Sequence, residues 1–165
     1  MKLIKLAIIS IVLLFLLVTA VSLLFPSHVR ISRATDIYAS KDSAMVMLRN
    51  PMNWKYWFPG ADTLAVVFLN GKPIGLKLAD GKELKINAGT DSTTNAIIEG
   101  ASFYGTGWNC IGDGTANHIT VQWYMDFQLK WYPWEKFSSL LLESRYGYQM
   151  EQGLQKLKAK LESAQ

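Results

Sequence analysis

The spacing of hydrophobic and polar positions changes three times along this chain. From Leu6 to Phe25 there is no alternation: twenty consecutive residues are uncharged, and only Ser10, Thr19 and Ser22 are polar. Hydroxyls of that kind bond back to carbonyls of their own helix. Twenty helical residues rise about 30 Å, the depth of a bilayer's hydrocarbon core. A run that is apolar on every face therefore predicts a membrane-spanning helix, stopped by Pro26. A cleaved signal peptide is the competing reading, because Lys2 and Lys5 form a basic start and Val18-Thr19-Ala20 offers small residues for a peptidase. The run outlasts the roughly 7–15 apolar residues of an ordinary signal, which favours a retained anchor.

Behind Pro26 the period falls to two. His28 to Tyr38 alternates, with Val29, Ile31 and Ile37 on one face, and predicts a first strand. Ser40 is placed to cap a helix that runs from Lys41 to Asn50-Pro51, with Ala44, Met47 and Leu48 as its apolar stripe. The aromatic stretch Met52 to Pro59 predicts a short second helix. Strands and turns follow: Leu64–Leu69 closed by Asn70-Gly71, then Ile74–Leu78 and Glu83–Asn87 joined at Asp80-Gly81. One strand is predicted over Thr94–Tyr104 and a turn at Asp113-Gly114. The clearest strand is the last, where Ile119, Val121, Trp123, Met125, Phe127, Leu129 and Trp131 share one face at strict period two.

After Pro133 the period becomes helical. Phe137, Leu140, Leu141, Ser144, Tyr148, Glu151, Leu154, Leu157 and Leu161 gather on one side of a predicted helix of about six turns, with Gly147 as a weak point. An antiparallel sheet with its helices on one face is the α+β solution. The expected division is an anchor over 1–25 and one domain over 26–165.

Composition narrows the function classes. Only 18% of the 165 residues are charged, and the formal net charge is +4. Two of those charges are Lys2 and Lys5, so the rest of the chain stands near +2 with no clustered basic face, which argues against nucleic-acid binding. Six Trp, seven Tyr and seven Phe exclude a disordered chain. A single cysteine, Cys110, forms no internal disulfide, and His28 and His118 beside it supply neither a metal-ligand spacing nor a catalytic triad.

The order of elements, with Ile37-Tyr38-Ala39-Ser40, Asn53-Trp54-Lys55-Tyr56-Trp57-Phe58-Pro59 and an aromatic last strand leading into a long helix, resembles the helix-grip fold of the START-like (SRPBCC) superfamily. Trp131-Tyr132-Pro133-Trp134-Glu135-Lys136-Phe137, followed by Tyr146-Gly147 and Met150 to Leu154, is similar to segments of anchored bacterial members. The resemblance covers about residues 28–162. It implies a curved antiparallel sheet around the C-terminal helix, with an apolar cavity between them that holds a hydrophobic small molecule or lipid. The superfamily shares no catalytic motif, so no catalytic residue, metal or cofactor follows from it.

The candidate ligand wall is the inward stripe Trp123, Met125, Phe127, Leu129 and Trp131, with Trp54 and Trp57 from the short helix; core packing is the plainer role for each. Glu99, amid Ile97, Ile98 and Ala101, is the one carboxylate placed to act as acid or base if the domain were a cyclase or dehydrase. Asp126 falls on the outward face and is expected to be solvated. Lys156, Lys158 and Lys160 read as a solvated helix face. The leading expectation is thus a single-pass module that binds an apolar ligand without chemistry. The alternatives are a cyclase-type enzyme and an interaction module with a closed core. The basic residues before the span place the N-terminus in the cytoplasm and the domain outside it, against the opposing pull of Arg30 and Arg33.

Overall fold

Among the described residues seven antiparallel strands form one sheet, and helical stretches close over one face of it. The computed structural model describes residues 2–98, 103–112 and 117–163. In chain order the elements are α1 (Lys2–Ser22), β1 (His28–Ile37), α2 (Lys41–Arg49), 3-10 turns at Pro51–Tyr56 and Ala61–Thr63, and β2 (Ala65–Leu69). Then come β3 (Lys72–Lys77), β4 (Glu83–Thr90), β5 (Thr93–Ile98), β6 (Phe103–Ile111) and β7 (Ile119–Gln128). The chain closes with α3 (Pro133–Ser138), a 3-10 turn at Ser139–Leu141 and α4 (Leu142–Glu162). The strands form one sheet in the order β1-β7-β6-β5-β4-β3-β2.

Local chemistry explains the joints. Ser40 caps α2 by accepting the Ser43 N–H at 3.3 Å, and Asn50 accepts the Met52 N–H at 3.0 Å to start the 3-10 turn. The β2–β3 hairpin turns through Asn70 and Gly71, at φ 51° and 78°, the left-handed pair a tight hairpin requires. Along β7 burial alternates without a break from Ile119 to Gln128, so the inward stripe is Ile119, Val121, Trp123, Met125 and Phe127.

Four expectations change. The strand predicted over Thr94–Tyr104 is two strands: Thr93 pairs with Asn109 and Ile97 with Gly105 across a hairpin. Strand-favouring residues on both sides concealed the break, and the expected turn at Asp113-Gly114 lies outside the described residues. The inward stripe ends at Leu129, whose N–H is donated to the Ser27 carbonyl at 2.7 Å. Trp131 lies beyond the ladder, before the fixed φ of Pro133, and is 59% exposed instead of inward.

The helix after Pro133 is interrupted at Ser139–Leu141, which shifts its phase. Leu140, Leu141 and Tyr148 are exposed, and the buried face of α4 is Gly147, Met150, Gly153, Leu154, Leu157 and Leu161. Gly153 lets the helix close on the sheet: a Cβ there would stand 2.7 Å from the Trp123 ring and 3.0 Å from Pro59. Finally, α1 ends at Ser22 and not at Pro26, with Leu24 and Phe25 continuing in tight turns through N–H bonds to Val21 and Ser22.

Among the described residues nothing covers α1 from Lys2 to Leu17. Its last turn is different. Ser22 is buried, Phe25 packs edge-on against Phe137 at 5.4 Å, and α3 lies against the helix end. Lys136, only 2% exposed, donates to the Phe25 carbonyl at 3.1 Å and to the Ser27 hydroxyl at 2.7 Å. A buried ammonium is tolerated where such acceptors replace its water.

Candidate functional site

The space between sheet and α4 is filled at one end and open at the other. At the filled end, Trp54, Trp57, Phe58, Trp108 and Trp123 form one aromatic cluster, with centroids 5.3 Å apart for Trp54–Trp108 and Phe58–Trp123 and 5.6 Å for Trp57–Trp108. Such tilted and edge-on pairs add attraction beyond their buried area. The four indoles are at most 1% exposed. Trp54 donates to the Leu48 carbonyl at 2.7 Å, and Trp123 to the Thr106 hydroxyl at 2.6 Å. Thr106 in turn donates to the Tyr124 carbonyl at 2.9 Å.

At the open end lies a pocket of about 360 Å³. Among the described residues, the sheet supplies Leu84, Ile98, Thr106 and Met125, and α4 supplies Tyr146 and Gln149. Phe58 forms the wall shared with the aromatic cluster, and Leu78, Asp80 and Lys82 of the β3–β4 turn form the rim. A volume of that size stands at the lower end of the range for small-molecule sites, and a whole two-chain lipid exceeds it. The lining is mainly apolar with a few polar groups, as such sites are.

Of the residues singled out from sequence, Met125 lines this pocket. Trp54, Trp57 and Trp123 belong to the packed cluster. Phe127 is buried with its ring 5.2 Å from that of Tyr146, and Leu129 is buried at the strand's end. Trp131 faces outward. Glu99 lies outside the described residues, directly after Ile98. The pocket residues missed from sequence come from five separate elements, and no local period joins Leu78, Leu84, Ile98, Thr106 and Tyr146.

The charges nearby are structural in their geometry. Asp80 accepts the Lys82 N–H at 3.1 Å and faces the Lys82 ammonium at 3.3 Å, and these bonds hold its carboxyl below the usual carboxylate range. It is ionised at neutral pH and carries no proton to give. Asp126, on the outward face, is not simply solvated: it binds Arg30 with two bonds of 2.7 and 2.8 Å. Arg33 points inward from the edge strand β1, passes over Gly147, and pairs with Glu143 and with Glu151, the latter at 2.7 Å. Cys110 is buried, and burial pushes its thiol up to about 11, so it is no nucleophile at neutral pH.

Register fixes where the pocket opens. His28 pairs with Gln128, Phe127 with Phe103, Gly105 with Ile97, Ile98 with Leu84, and Glu83 with Lys77. The pocket strands therefore meet the rim at the strand ends from which α1 departs.

An antiparallel sheet gripping a long C-terminal helix is the START-like helix-grip fold, and the comparisons with solved structures agree. The chain superposes on a norcoclaurine synthase point mutant from Thalictrum flavum, in complex with a transition-state analogue, with a TM-score of 0.59 at 11% identity over 83% of this chain and 96% of that one. A START superfamily protein from Mycobacterium smegmatis gives 0.52 at 10% identity over 82% and 99% of the two chains. Aha1 from Colwellia psychrerythraea gives 0.53 at 15% identity over 81% and 96%. No protein-family model matches the chain, and no curated sequence matches it either. These identities establish the fold alone; one of the three neighbours is an enzyme, so the fold does not choose between binding and catalysis.

Proposed function

We propose that this protein is a single-pass, membrane-anchored module that binds one hydrophobic small molecule, or part of a lipid, in the pocket between sheet and α4. The observation that carries the reading is the pocket itself, about 360 Å³ of largely apolar space left open beside an interior otherwise closed by aromatic rings. Phe58, Leu84, Ile98 and Met125 form its apolar wall, and Tyr146 and Gln149 are polar groups available to orient a ligand. Neighbours of the same fold, a START superfamily protein and an enzyme holding a transition-state analogue, are consistent with a ligand in this place.

Anchoring is supported by α1, a 21-residue helix whose most apolar 18-residue stretch has a mean hydropathy of 2.8 and is not buried by the described residues. Retention of the segment is supported by its last turn: cleavage after Ala20 would cut beside Ser22, which is buried against the domain. The unit that folds is residues 26–165, and the helix that precedes it crosses from the cytoplasm outward; reporters fused after Gln165, active on one side only, test that orientation.

The binding test uses the full-length protein in an amphipathic polymer, titrated with 1-aminoanthracene. Wild type binds saturably. Ile98→Trp, which fills the pocket, loses binding while its melting temperature holds. Absence of saturable binding by this and other apolar probes would overturn the reading.

A further inference from the structure

The two tryptophans outside the aromatic cluster point to a second membrane contact. Trp131 and Trp134 are 59% and 62% exposed, whereas Trp54, Trp57, Trp108 and Trp123 are at most 1% exposed. They do not stand alone. Tyr132 stacks on Trp134 with centroids 4.9 Å apart and planes 5° from parallel, and Trp131 lies 4.8 Å from Tyr132. Leu140 and Leu141 follow at 62% and 66% exposure. Glu135, the only acid from Trp131 to Leu141, is turned back to accept the Lys130 N–H at 2.7 Å. Lys136, the only base there, is buried on the Phe25 carbonyl and the Ser27 hydroxyl. Eleven residues thus present aromatic rings and leucines outward, with one charge buried and the other held on a backbone N–H.

We propose that Trp131–Leu141 forms an interfacial shelf seated in the headgroup layer of the bilayer that α1 enters. The inference rests on the anchoring reading above and adds what the domain does at the surface. The occupant is argued from continuity: α3 lies against the end of α1, and Lys136 binds Phe25, in the turns that follow that helix. Side chains of this segment are therefore held at the depth where the helix leaves hydrocarbon. Trp and Tyr collect at that depth because their rings are apolar while their N–H and O–H groups still reach water. A patch of this kind on a freely diffusing domain would fit a protein partner equally well, but one clasped to a spanning helix meets lipid first.

The experiment places the full-length chain in phosphatidylcholine vesicles brominated either near the headgroup or deep in the acyl chain. The four buried indoles lie inside the domain, so quenching reports on Trp131 and Trp134. Shallow bromine should quench roughly a third of the emission, the share of two tryptophans among six, and deep bromine distinctly less. Trp131→Phe with Trp134→Phe should abolish the difference, with flotation and melting temperature unchanged. A chain that floats with vesicles yet shows equal emission in brominated and plain lipid would overturn the shelf and leave the anchor standing. A chain that fails to float would overturn the anchor, and the shelf with it.

Discussion

The two ends of the grip share strands β6 and β7 and differ in what fills them. Toward α2, Trp54, Trp57, Trp108 and Trp123 pack ring against ring. Toward the anchored end, the same inward faces carry Leu84, Ile98, Thr106 and Met125 and leave a pocket. Where one side chain of indole size occupies each position, the sheet and helix close; where the residues are one ring smaller, the curvature leaves a space. The lesson is that stability and binding are divided along one sheet, and Phe58, which touches both regions, is the wall between them.

Substitutions should separate the two regions. Trp57→Ala removes a ring from the centre of the filled end and should cost about 3–5 kcal/mol in a urea titration. Ile98→Trp, at the other end, adds a double ring and should move stability by less than about 1 kcal/mol, because it grows into open space and not into packed neighbours. Equal losses from the two would mean that the pocket closes in solution.

Gly153→Ala should cost about 1–2 kcal/mol. The new methyl would meet Trp123 at 2.7 Å, an overpacking penalty only partly offset by the better helix propensity of alanine. Its mark should be a disturbed Trp123 environment in near-ultraviolet circular dichroism, with the pocket unaffected.

Cys110 gives the filled end a pH signature. Burial raises its thiol to about 11 from an ordinary value near 9, so the folded state holds a proton that the unfolded state releases. The stabilisation is complete below pH 9 and fades as pH rises toward 11. Melts across that window should decline more steeply for wild type than for Cys110→Ala. Parallel curves would show that the thiol meets water.

Arg33→Ala should have the smallest effect, below about 1 kcal/mol and shrinking in high salt, since Glu143 and Glu151 are more than half exposed. A larger loss would show that the edge strand depends on this clasp to hold α4.

The sheet was legible because its signals are local. Strict alternation gave β7, Asn70-Gly71 gave the first hairpin, and Ser40 gave the start of α2. The break at Ser139–Leu141 was hidden because Phe137, Leu140 and Leu141 still satisfy a helical period. The β5–β6 hairpin was hidden because residues on both sides of it favour strands. The candidate site was legible only in Met125. Its other walls come from strands that meet through the sheet's register, and the difference between a buried and a ligand-facing apolar residue is a matter of what stands opposite. Arg33 went unread for the same reason: its place on the inward face of an edge strand matters only once α4 lies above it.

Lys136 has a mechanical consequence. Five residues separate α1 from β1, and a loose chain of that length would reach about 17 Å and let the domain swing like a weight on a string. With the Phe25 carbonyl and the Ser27 hydroxyl both gripped by one ammonium, the string becomes a crank. Rolling the helix about its axis must then carry the domain around with it. One alanine inserted before Ser22 would turn the exit of the helix by about 100°. The domain would have to follow that turn, or let go.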